Sequence, residues 1–426
     1  MENCICNPIQ FMGWEAWELT NGIIRLVAVP QIGGRIMAYD LGDLPFLFVD
    51  AKLAGKLFSV EENQGDGSLA AWKNYGGDKT WTSPQGWDND EQWHGPPDPV
   101  LDTGIFTQEH GCEPQHAWIR MSSPKDAKTG IQITREFHLH TGSSRIDVRL
   151  TFENISQRKI CWSIWNVIQL DASCISPNGT FSYDKKCSVT TKRNPTSRFA
   201  QGYYVMFGDE DNPQWAVDTK QGIFCGKYLW EIGKVGVDSD GGWAAFSNES
   251  KKVAFTASFH HFPDEEYPDK GVGVEFWTVG KGKVANLDYE KEPVYLMEVE
   301  LLSPLYNLMP TEKKDFQISY GVCQLDGFVI DANTFGCFVQ PLKITRIGNE
   351  IKLTAKIGVY DVGELIAQCI DVNGRNLYQF PIKQVTPQEA VTLDHTLAVP
   401  SNTHGIMLLV RSKITGEEKL LAKTYL

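Results

Sequence analysis

Residues Trp72 to Asp98 read WKNYGGDKTWTSPQGWDNDEQWHGPPD. It holds four tryptophans, four glycines and three prolines, and it shows neither helical nor strand periodicity. Gly and Pro interrupt regular structure, so the pattern predicts an irregular segment at the protein surface. Surfaces rarely expose several indoles together, so we expect these rings to line a concave binding site.

The same segment carries many hydrogen-bonding side chains, namely Asp78, Lys79, Thr80, Gln85, Asn89 and His94. Flat apolar rings combined with such groups suit a sugar, because a sugar ring has apolar C–H faces and a rim of hydroxyls. The alternative is a structural loop whose indoles close one end of a β-sandwich, since Trp is mostly buried wherever it occurs.

Length and charge narrow the class of protein. The chain has 426 residues, 42% of them hydrophobic, and a formal net charge of −13. This length suits one large domain and a smaller one. The negative charge disfavours nucleic acid and anionic membranes as partners. The N-terminus lacks a basic region followed by an apolar run, and no stretch approaches the ~20 apolar residues of a membrane span, so we expect a cytoplasmic protein.

Metal and disulfide signals are weak. The ten cysteines are scattered, which favours reduced and mostly buried thiols. His138 and His140 share one face of a predicted strand, but a closed metal site usually needs further ligands and none lies nearby in sequence. We therefore expect neither a metal nor another cofactor, and the pattern leaves the oligomeric state open.

Short alternating stretches separated by turn residues run through the first 330 residues, and long amphipathic helical patterns are missing. The predicted strands include 117–121, 131–140, 145–152, 160–170, 253–259, 271–278, 295–302 and 316–323. This predicts an all-β domain over residues 1–330, a sandwich or barrel. A second cycle of strand patterns follows a turn-rich junction and predicts an accessory immunoglobulin-like β-sandwich over residues 331–426.

A carboxylate late in the first domain is a candidate for chemistry. In GVGVEFWT, residues 271–278, alternation places Val274 and Phe276 on one face and Glu275 with Trp277 on the other. A strand Glu flanked by small and aromatic residues is typical of a general base that acts on a sugar. The alternative is a Glu275 that points to water.

Four motifs together resemble the galactose mutarotase-like superfamily, which includes the aldose 1-epimerases, and in particular an uncharacterised branch of it. They are VPQIGGRI (29–36), YGGDKTWTSPQ (75–85), YPDKGVGVEFWT (267–278) and EVELLSP (298–304). The resemblance covers about residues 20 to 325. It implies a supersandwich fold in which these strands and loops line one face, where a pyranose sits.

The resemblance also implies a reaction. In aldose epimerases a late-strand Glu removes the anomeric hydroxyl proton and a His protonates the ring oxygen, so the ring opens and closes to the other anomer. Glu275 stands at the position that looks like the base. Trp165 and Asn166 stand where the His is expected, and neither donates a proton in that role. This departure from the family pattern weakens simple mutarotation and requires another acid.

Lys79 is the first candidate for that acid, because a buried Lys with a lowered pKa can donate a proton. The alternative is that Lys79 pairs with Asp78 or another carboxylate. The other candidate acids are Lys234, Tyr267, His260 and His261. Asn166 and Gln169 lie three apart on a strand and so face opposite sides; Asn166 is favoured as the ligand contact if Trp165 turns to the core.

The predicted site therefore has Glu275 and Lys79 as catalytic residues. Its predicted substrate contacts are Trp81, Gln85, Trp87, His94, Asn166, Lys234, Tyr267 and Trp277. The leading hypothesis is a carbohydrate-active, aldose epimerase-like isomerase whose partner is a small-molecule sugar or oligosaccharide. The alternatives are a non-catalytic sugar-binding protein, a lyase or hydrolase on the same fold, and a structural protein without a pocket.

Overall fold

The computed structural model describes residues 2–176, 178–284, 287–348 and 350–426. The first thirteen strands are β1 Ile5–Phe11, β2 Trp14–Thr20, β3 Ile24–Val29, β4 Arg35–Leu41, β5 Leu44–Pro45, β6 Asp78–Ser83, β7 Thr107–Glu113, β8 His116–Ser122, β9 Ile131–His140, β10 Ile146–Asn154, β11 Ile160–Asp171, β12 Ser173–Ile175 and β13 Phe181–Tyr183. The next thirteen are β14 Cys187–Lys192, β15 Tyr203–Gly208, β16 Trp215–Asp218, β17 Ile223–Lys227, β18 Gly233–Val237, β19 Trp243–Asn248, β20 Val253–Phe259, β21 Val274–Thr278, β22 Lys283–Val284, β23 Leu287–Asp288, β24 Leu296–Leu302, β25 Tyr306–Leu308 and β26 Lys313–Gln324.

Helical segments are short. They are α1 Val60–Gln64, α2 Pro268–Gly271 and the 3-10 turns Pro30–Ile32, Ala51–Leu53 and Leu69–Ala71. Inside α2, Asp269 and Lys270 have left-handed backbone angles, so this segment is a tight turn rather than a regular helix. Among the described residues, no helix is long and apolar enough to cross a membrane.

Two large sheets pack face to face. The order of the first, twelve-stranded sheet is β1-β2-β3-β4-β6-β11-β24-β21-β18-β15, with β5 and β25 paired at its sides. The second, ten-stranded sheet runs β16-β17-β14-β19-β20-β26-β10-β9-β8-β7. Inward side chains of both sheets form one apolar core, for example Ile168, Val299 and Phe276 from the first sheet and Phe255 and Tyr320 from the second. On the opposite, outer face of the first sheet a separate apolar cluster covers β2, β3 and β4, with Trp14, Val27 and Met37 among its members.

Alternation predicted most strands well. The structure confirms 131–140 and 253–259 as strands with the predicted bounds and places the others within a few residues. The prediction that the whole Trp-rich segment is irregular is wrong, because β6 lies in its middle and pairs along β11. Gly76 and Gly77 adopt positive φ angles before β6 and let the backbone approach Phe48 and Ile36 closely.

The chain from Asp331 onward adds eight strands, β27 Asp331–Asn333, β28 Gly336–Ile347, β29 Glu350–Val359, β30 Gly363–Ile370, β31 Asn376–Val385, β32 Val391–Ala398, β33 Gly405–Ser412 and β34 Glu418–Tyr425. They form two four-stranded sheets, β27-β28-β29-β32 and β31-β30-β33-β34, around a separate apolar core. Tyr360 contacts the large sheets, since its hydroxyl lies 2.5 Å from that of Thr256 and its carbonyl accepts from the Ser144 amide.

Candidate functional site

Strand register gathers ionisable side chains on the outer face of the first sheet. Val167 lies opposite Lys79 on one side and Glu300 on the other, and Glu300 lies opposite Glu275. Directly paired residues share a face of a sheet, so Lys79, Glu300 and Glu275 form one row across four strands. The adjacent row contains Gln169, Glu298, Trp277 and Lys234.

Lys234 joins two of the glutamates. Its Nζ lies 2.7 Å from Glu275 Oε2 and 2.9 Å from Glu300 Oε2. Trp165 Nε1 also donates to Glu300 Oε2 at 2.8 Å, and Lys234 Nζ stands 4.4 Å from the centre of the Trp165 ring. Both glutamates are buried. The cluster is therefore a desolvated group of charges, in which a cation is held between two carboxylates.

Burial sets the protonation properties of this pair. It raises the pKa of Glu275 well above its ordinary value, and the charge of Lys234 opposes this only in part. Burial alone would lower the pKa of Lys234, but the charges of Glu275 and Glu300 outweigh it, so the pKa lies above its ordinary value. Lys234 thus stays cationic, and Glu275 has a high affinity for a proton.

Lys79 has a different environment. Its Nζ lies 3.5 Å from Glu298 Oε1 and 4.7 Å from the centre of the Trp81 ring. Gln169 Nε2 donates to the same Glu298 Oε1 at 2.5 Å. Lys79 is 1% exposed, and burial lowers its pKa to about 8, with the charge of Glu298 acting in the opposite direction. This lysine can therefore give up a proton near neutral pH.

Several buried polar atoms of the site have no hydrogen-bond partner among the described protein groups: Lys79 Nζ, Gln169 Oε1, Glu275 Oε1 and Glu300 Oε1. Buried polar atoms in proteins are nearly always paired, so such a concentration on one face is unusual. One of these atoms is a donor and the other three are acceptors. Hydroxyl groups, which both donate and accept, match this set.

Indole rings border the charges. Trp81 packs against Trp165, Trp93 and Trp72, with ring centroids 5.4, 5.2 and 6.1 Å apart. Asp102 accepts from the indole N–H groups of Trp72 and Trp81 at 2.8 and 3.2 Å. These bonds fix the planes of the two rings. Trp93 is fully buried, so the alternative that the indoles close one end of the sandwich holds for this residue.

Solvent reaches the cluster through the row that contains Gln169, Glu298, Trp277 and Lys234. The side chains of Glu298 and Lys234 are 11% and 14% exposed. Trp277 is half-buried, and its ring lies 5.5 Å from that of Phe207, which is largely exposed. At the other end of the strands, Ser83 Oγ donates to Asp269 Oδ2 at 3.0 Å, and a cleft of about 750 Å³ opens beside Asp269 and Tyr267.

The structure brings together five of the predicted site residues on the outer face, namely Glu275, Lys79, Lys234, Trp81 and Trp277. The alternative that Lys79 pairs with a carboxylate holds for Glu298, at 3.5 Å, and is wrong for Asp78, whose carboxylate faces Arg135 between the sheets. Glu275 does not point to water either, since it is 1% exposed and paired with Lys234.

The other predicted contacts lie elsewhere. Tyr267 lines the cleft beyond Asp269 with His261, whose ring stacks on it at 5.3 Å. Trp87 and His94 line a separate cavity of about 710 Å³ beyond the buried Trp93, and Trp87 is 72% exposed. Gln85 is exposed beside Gly95. These four residues do not join the charged cluster.

The expectation that Asn166 faces the ligand is wrong. Trp165 takes the outer face, and Asn166 therefore points between the sheets, where its amide is hydrogen-bonded with the hydroxyls of Tyr320 and Thr80 at 2.5 and 2.9 Å. Gln169 lies on the outer face instead. Glu298 and Glu300 were missed as site residues, although their spacing of two places both on one face of a strand.

In the described part of the chain, no group of three or more His, Cys, Asp and Glu side chains is arranged to hold a metal ion. The charged groups of the cluster are instead paired with one another, glutamate against lysine.

The sequence matches a family model over most of its length. Residues 15–322 match the family model described as a domain of unknown function, DUF4380. No curated protein matches the sequence.

Solved structures show a related fold. A candidate aldose 1-epimerase from Klebsiella pneumoniae is 12% identical, with a TM-score of 0.51 over 73% of this chain and 80% of that one. A galactose mutarotase-like protein from Clostridium acetobutylicum is 10% identical, with a TM-score of 0.47 over 76% of this chain and 99% of that one. At these identities the likeness shows the fold alone, and that fold is galactose mutarotase-like.

Proposed function

We propose that this chain, which belongs to the DUF4380 family, binds a pyranose on the outer face of the first sheet. We further propose that it transfers protons to and from the bound sugar, as an aldose epimerase does. The observation that carries this proposal is the set of buried, unpartnered polar atoms of Lys79, Gln169, Glu275 and Glu300 beside the Trp81 ring. A polyhydroxylated ring offers both donors and acceptors to such a set and an apolar face to an indole.

The proposed acid, Lys79, and the proposed base, Glu275, lie at opposite ends of one row of the sheet. Lys79 and Glu275 belong to strands separated by β11 and β24, so their backbones lie about 14 Å apart, three strand spacings. The Lys79 amine leans toward Glu298 on β24, which shortens this gap. Glu275 would take the anomeric hydroxyl proton, and Lys79 would give its proton to the ring oxygen. Ring opening and reclosure then exchange the anomers.

Lys234 supports the base rather than reacting itself. Because it contacts both Glu275 and Glu300, it stabilises the ionised form that accepts a proton. Replacing Lys234 by Met would leave Glu275 and Glu300 buried without a cation. One of the two carboxylates would then bind a proton more tightly, because two adjacent negative charges repel each other. We expect such a variant to lose turnover more strongly than sugar affinity.

Binding without turnover is the second candidate. The strands β6, β11, β24, β21, β18 and β15, which build the face, contain no histidine. The acid of the related epimerases is therefore missing from them, and binding would remain if Lys79 did not replace it. Polar atoms and indoles suffice for affinity and orientation.

The test follows the anomers of freshly dissolved α-D-glucose, α-D-galactose and other aldoses by proton NMR. We expect conversion faster than the buffer rate and a loss of 10²- to 10⁴-fold, the usual range for a general base, in Glu275→Gln. Glu113→Gln is the matched control, because Glu113 is exposed on the edge strand β7 of the other sheet.

Quenching of Trp fluorescence measures affinity for the same sugars. Binding without accelerated conversion would support the second candidate. A wild-type protein that neither converts nor binds any aldose, uronate or phosphorylated sugar would remove both proposals. Conversion that survives Glu275→Gln at the wild-type rate would remove Glu275 from the reaction.

A further inference from the structure

Lys79 and Lys234 lie on the same face of one sheet but differ in their partners. Lys234 Nζ makes contacts of 2.7 and 2.9 Å with two carboxylates. Lys79 Nζ has no hydrogen-bond partner among the described groups, and its nearest carboxylate oxygen, on Glu298, is 3.5 Å away. A lysine needs a free electron pair to act as a nucleophile, and desolvation without a tight ion pair is how proteins make one available.

Burial favours the neutral amine of Lys79, whereas the charge of Glu298 and the faces of two indoles favour its ammonium form. Trp81 and Trp72 present their rings at 4.7 and 5.9 Å and exclude water on those sides. Burial lowers the pKa of Lys79 to about 8. At pH 7 about one amine in ten is then neutral before any reaction begins.

Ring opening would generate both reactants in one place. When Lys79 gives its proton to the ring oxygen, it becomes a neutral amine, and the same step turns C1 of the sugar into an aldehyde. An amine and an aldehyde enclosed together add readily, because the reaction is effectively intramolecular. Glu298, which already contacts the amine, is placed to move protons between them.

We propose that Lys79 forms an imine with C1 of the open-chain sugar, and this inference rests on the proposed function, which supplies the aldehyde. The Lys79 Nζ electron pair attacks C1, a C–N bond forms as the C=O π bond breaks, and Glu298 transfers one proton from the nitrogen to the oxygen to give a neutral carbinolamine. Glu298 then takes a proton from solvent and gives it to that hydroxyl, which leaves as water while the nitrogen electron pair forms the protonated C=N bond. Addition of water reverses each step and returns the aldehyde and the amine, so no oxidant or reductant takes part.

The imine gives the site a covalent hold on the open chain. An aldose that opens in a site without such a bond can dissociate as a reactive aldehyde. A carbon double-bonded to a cationic nitrogen also acidifies the C–H at C2, so the same intermediate would permit proton abstraction there by a buried carboxylate. The inference therefore extends the range of reactions from anomer exchange to exchange at C2.

Reductive trapping tests the inference. The full-length protein is incubated with D-glucose, D-galactose or D-mannose and sodium cyanoborohydride, which converts an imine into a stable secondary amine, and the modified lysines are located by peptide mass spectrometry. We expect Lys79 to be modified at least tenfold faster than Lys220, an exposed lysine that reports adventitious glycation. The anhydro-alditol analogue, which has no anomeric hydroxyl, should give no label.

Matched variants sharpen the result. Lys79→Arg keeps the charge and removes the nucleophile, so trapping at this peptide and any exchange at C2 should disappear, whereas Lys220→Arg should leave both unchanged. Unfolding in urea should reduce labelling of Lys79 to the Lys220 rate, because the enclosed site is lost. Circular dichroism of Lys79→Arg checks that its fold is retained.

The outcomes separate this inference from the proposed function. Anomer conversion without preferential labelling of Lys79 would keep the proposed function and overturn the imine. Labelling of Lys79 at the Lys220 rate, in the folded wild-type protein and with every aldose, would overturn it as well. Fast labelling of Lys79 without anomer conversion would support the imine and count against the epimerase-like reaction.

Discussion

Asp78 and Lys79 are neighbours in the sequence and are both 1% exposed, yet they lie in two different regions of the molecule. Asp78 points between the sheets, where Arg135 Nη2 lies 3.0 Å from its Oδ1 and the Tyr320 hydroxyl donates to its Oδ2 at 3.3 Å. Lys79 points to the outer face, where its amine has no hydrogen-bond partner and lies 3.5 Å from Glu298 Oε1. One strand thus presents a buried charge with an ion pair at 3.0 Å on one face and a buried charge with a longer ion pair, at 3.5 Å, on the other.

The difference separates structural charges from candidate functional ones. Both groups are desolvated, and burial is the largest cause of the pKa shift of each. Arg135 opposes the effect of burial on Asp78 in part, and two hydrogen bonds from its Nη1, to the carbonyls of Gly34 and Asp78, fix the guanidinium, although its Nε and Nη2 have no hydrogen-bond partner among the described groups. Burial alone therefore does not identify a site. A buried charge whose compensation is incomplete is the more informative observation.

Removing the compensation of Asp78 should have the largest effect. We expect Arg135→Met to lower the free energy of unfolding by about 3–5 kcal/mol, because it leaves a buried carboxylate without its cation. Urea denaturation followed by circular dichroism measures this.

Lys79→Met is the matched control on the other face. It removes a buried ammonium that costs the folded state up to roughly 3 kcal/mol below pH 8, and Glu298 keeps its hydrogen bond from Gln169, so we expect no loss of stability at pH 7. Equal losses in the two variants would contradict the distinction between the two charges.

The stability of the folded protein should depend on pH through Lys79. Lys79 has a pKa of about 8 in the folded protein and 10.5 as its reference value. Between these values the unfolded chain binds more protons, so stability rises with pH. Below pH 8 both states are protonated and the full cost of ionising the buried amine is present, up to roughly 3 kcal/mol.

Measuring urea denaturation from pH 7 to 10.5 in the wild type and in Lys79→Met isolates this contribution. The wild type should gain stability relative to the variant as the pH rises through this window. Parallel curves would show that Lys79 has an ordinary pKa.

The smallest expected effect concerns the indoles. If Trp81 packs on the sugar, Trp81→Phe should weaken binding by about 1 kcal/mol, the usual size of an aromatic contribution beyond area burial. Trp87→Phe should leave affinity unchanged, because Trp87 lines the separate cavity with His94. Titration of either variant with the best sugar, followed by the remaining Trp fluorescence, measures both. A larger loss in Trp87→Phe would move the ligand to that cavity.

Alternation along strands was the reliable signal in the sequence. It predicted the strand 131–140 and the separation of Glu275 and Trp277 from Phe276, because the side-chain period of a strand is two wherever one face is buried. It failed for Asp78–Ser83, whose six residues are all buried and alternate in no visible way. A strand flanked by other strands in a sheet and covered on both faces loses the pattern.

The side of the sheet on which Asn166 lies was also mispredicted. Alternation shows which residues share a face of a strand, but it does not show which of the two faces lies between the sheets. Asn166 and Trp165 are both buried, and only their partners, Tyr320 for one and Glu300 for the other, reveal which lies between the sheets.

The sequence by itself determined the all-β class, the galactose mutarotase-like resemblance and the choice of Glu275 and Lys79 as candidate residues, because local alternation and short motifs encode these features. Tertiary structure alone decided which charges meet. Lys234 contacts Glu275 and Glu300 across neighbouring strands, and Lys79 reaches Glu298 from more than two hundred residues away in the chain. Such contacts depend on strand order and register, and these are fixed only when the whole sheet assembles.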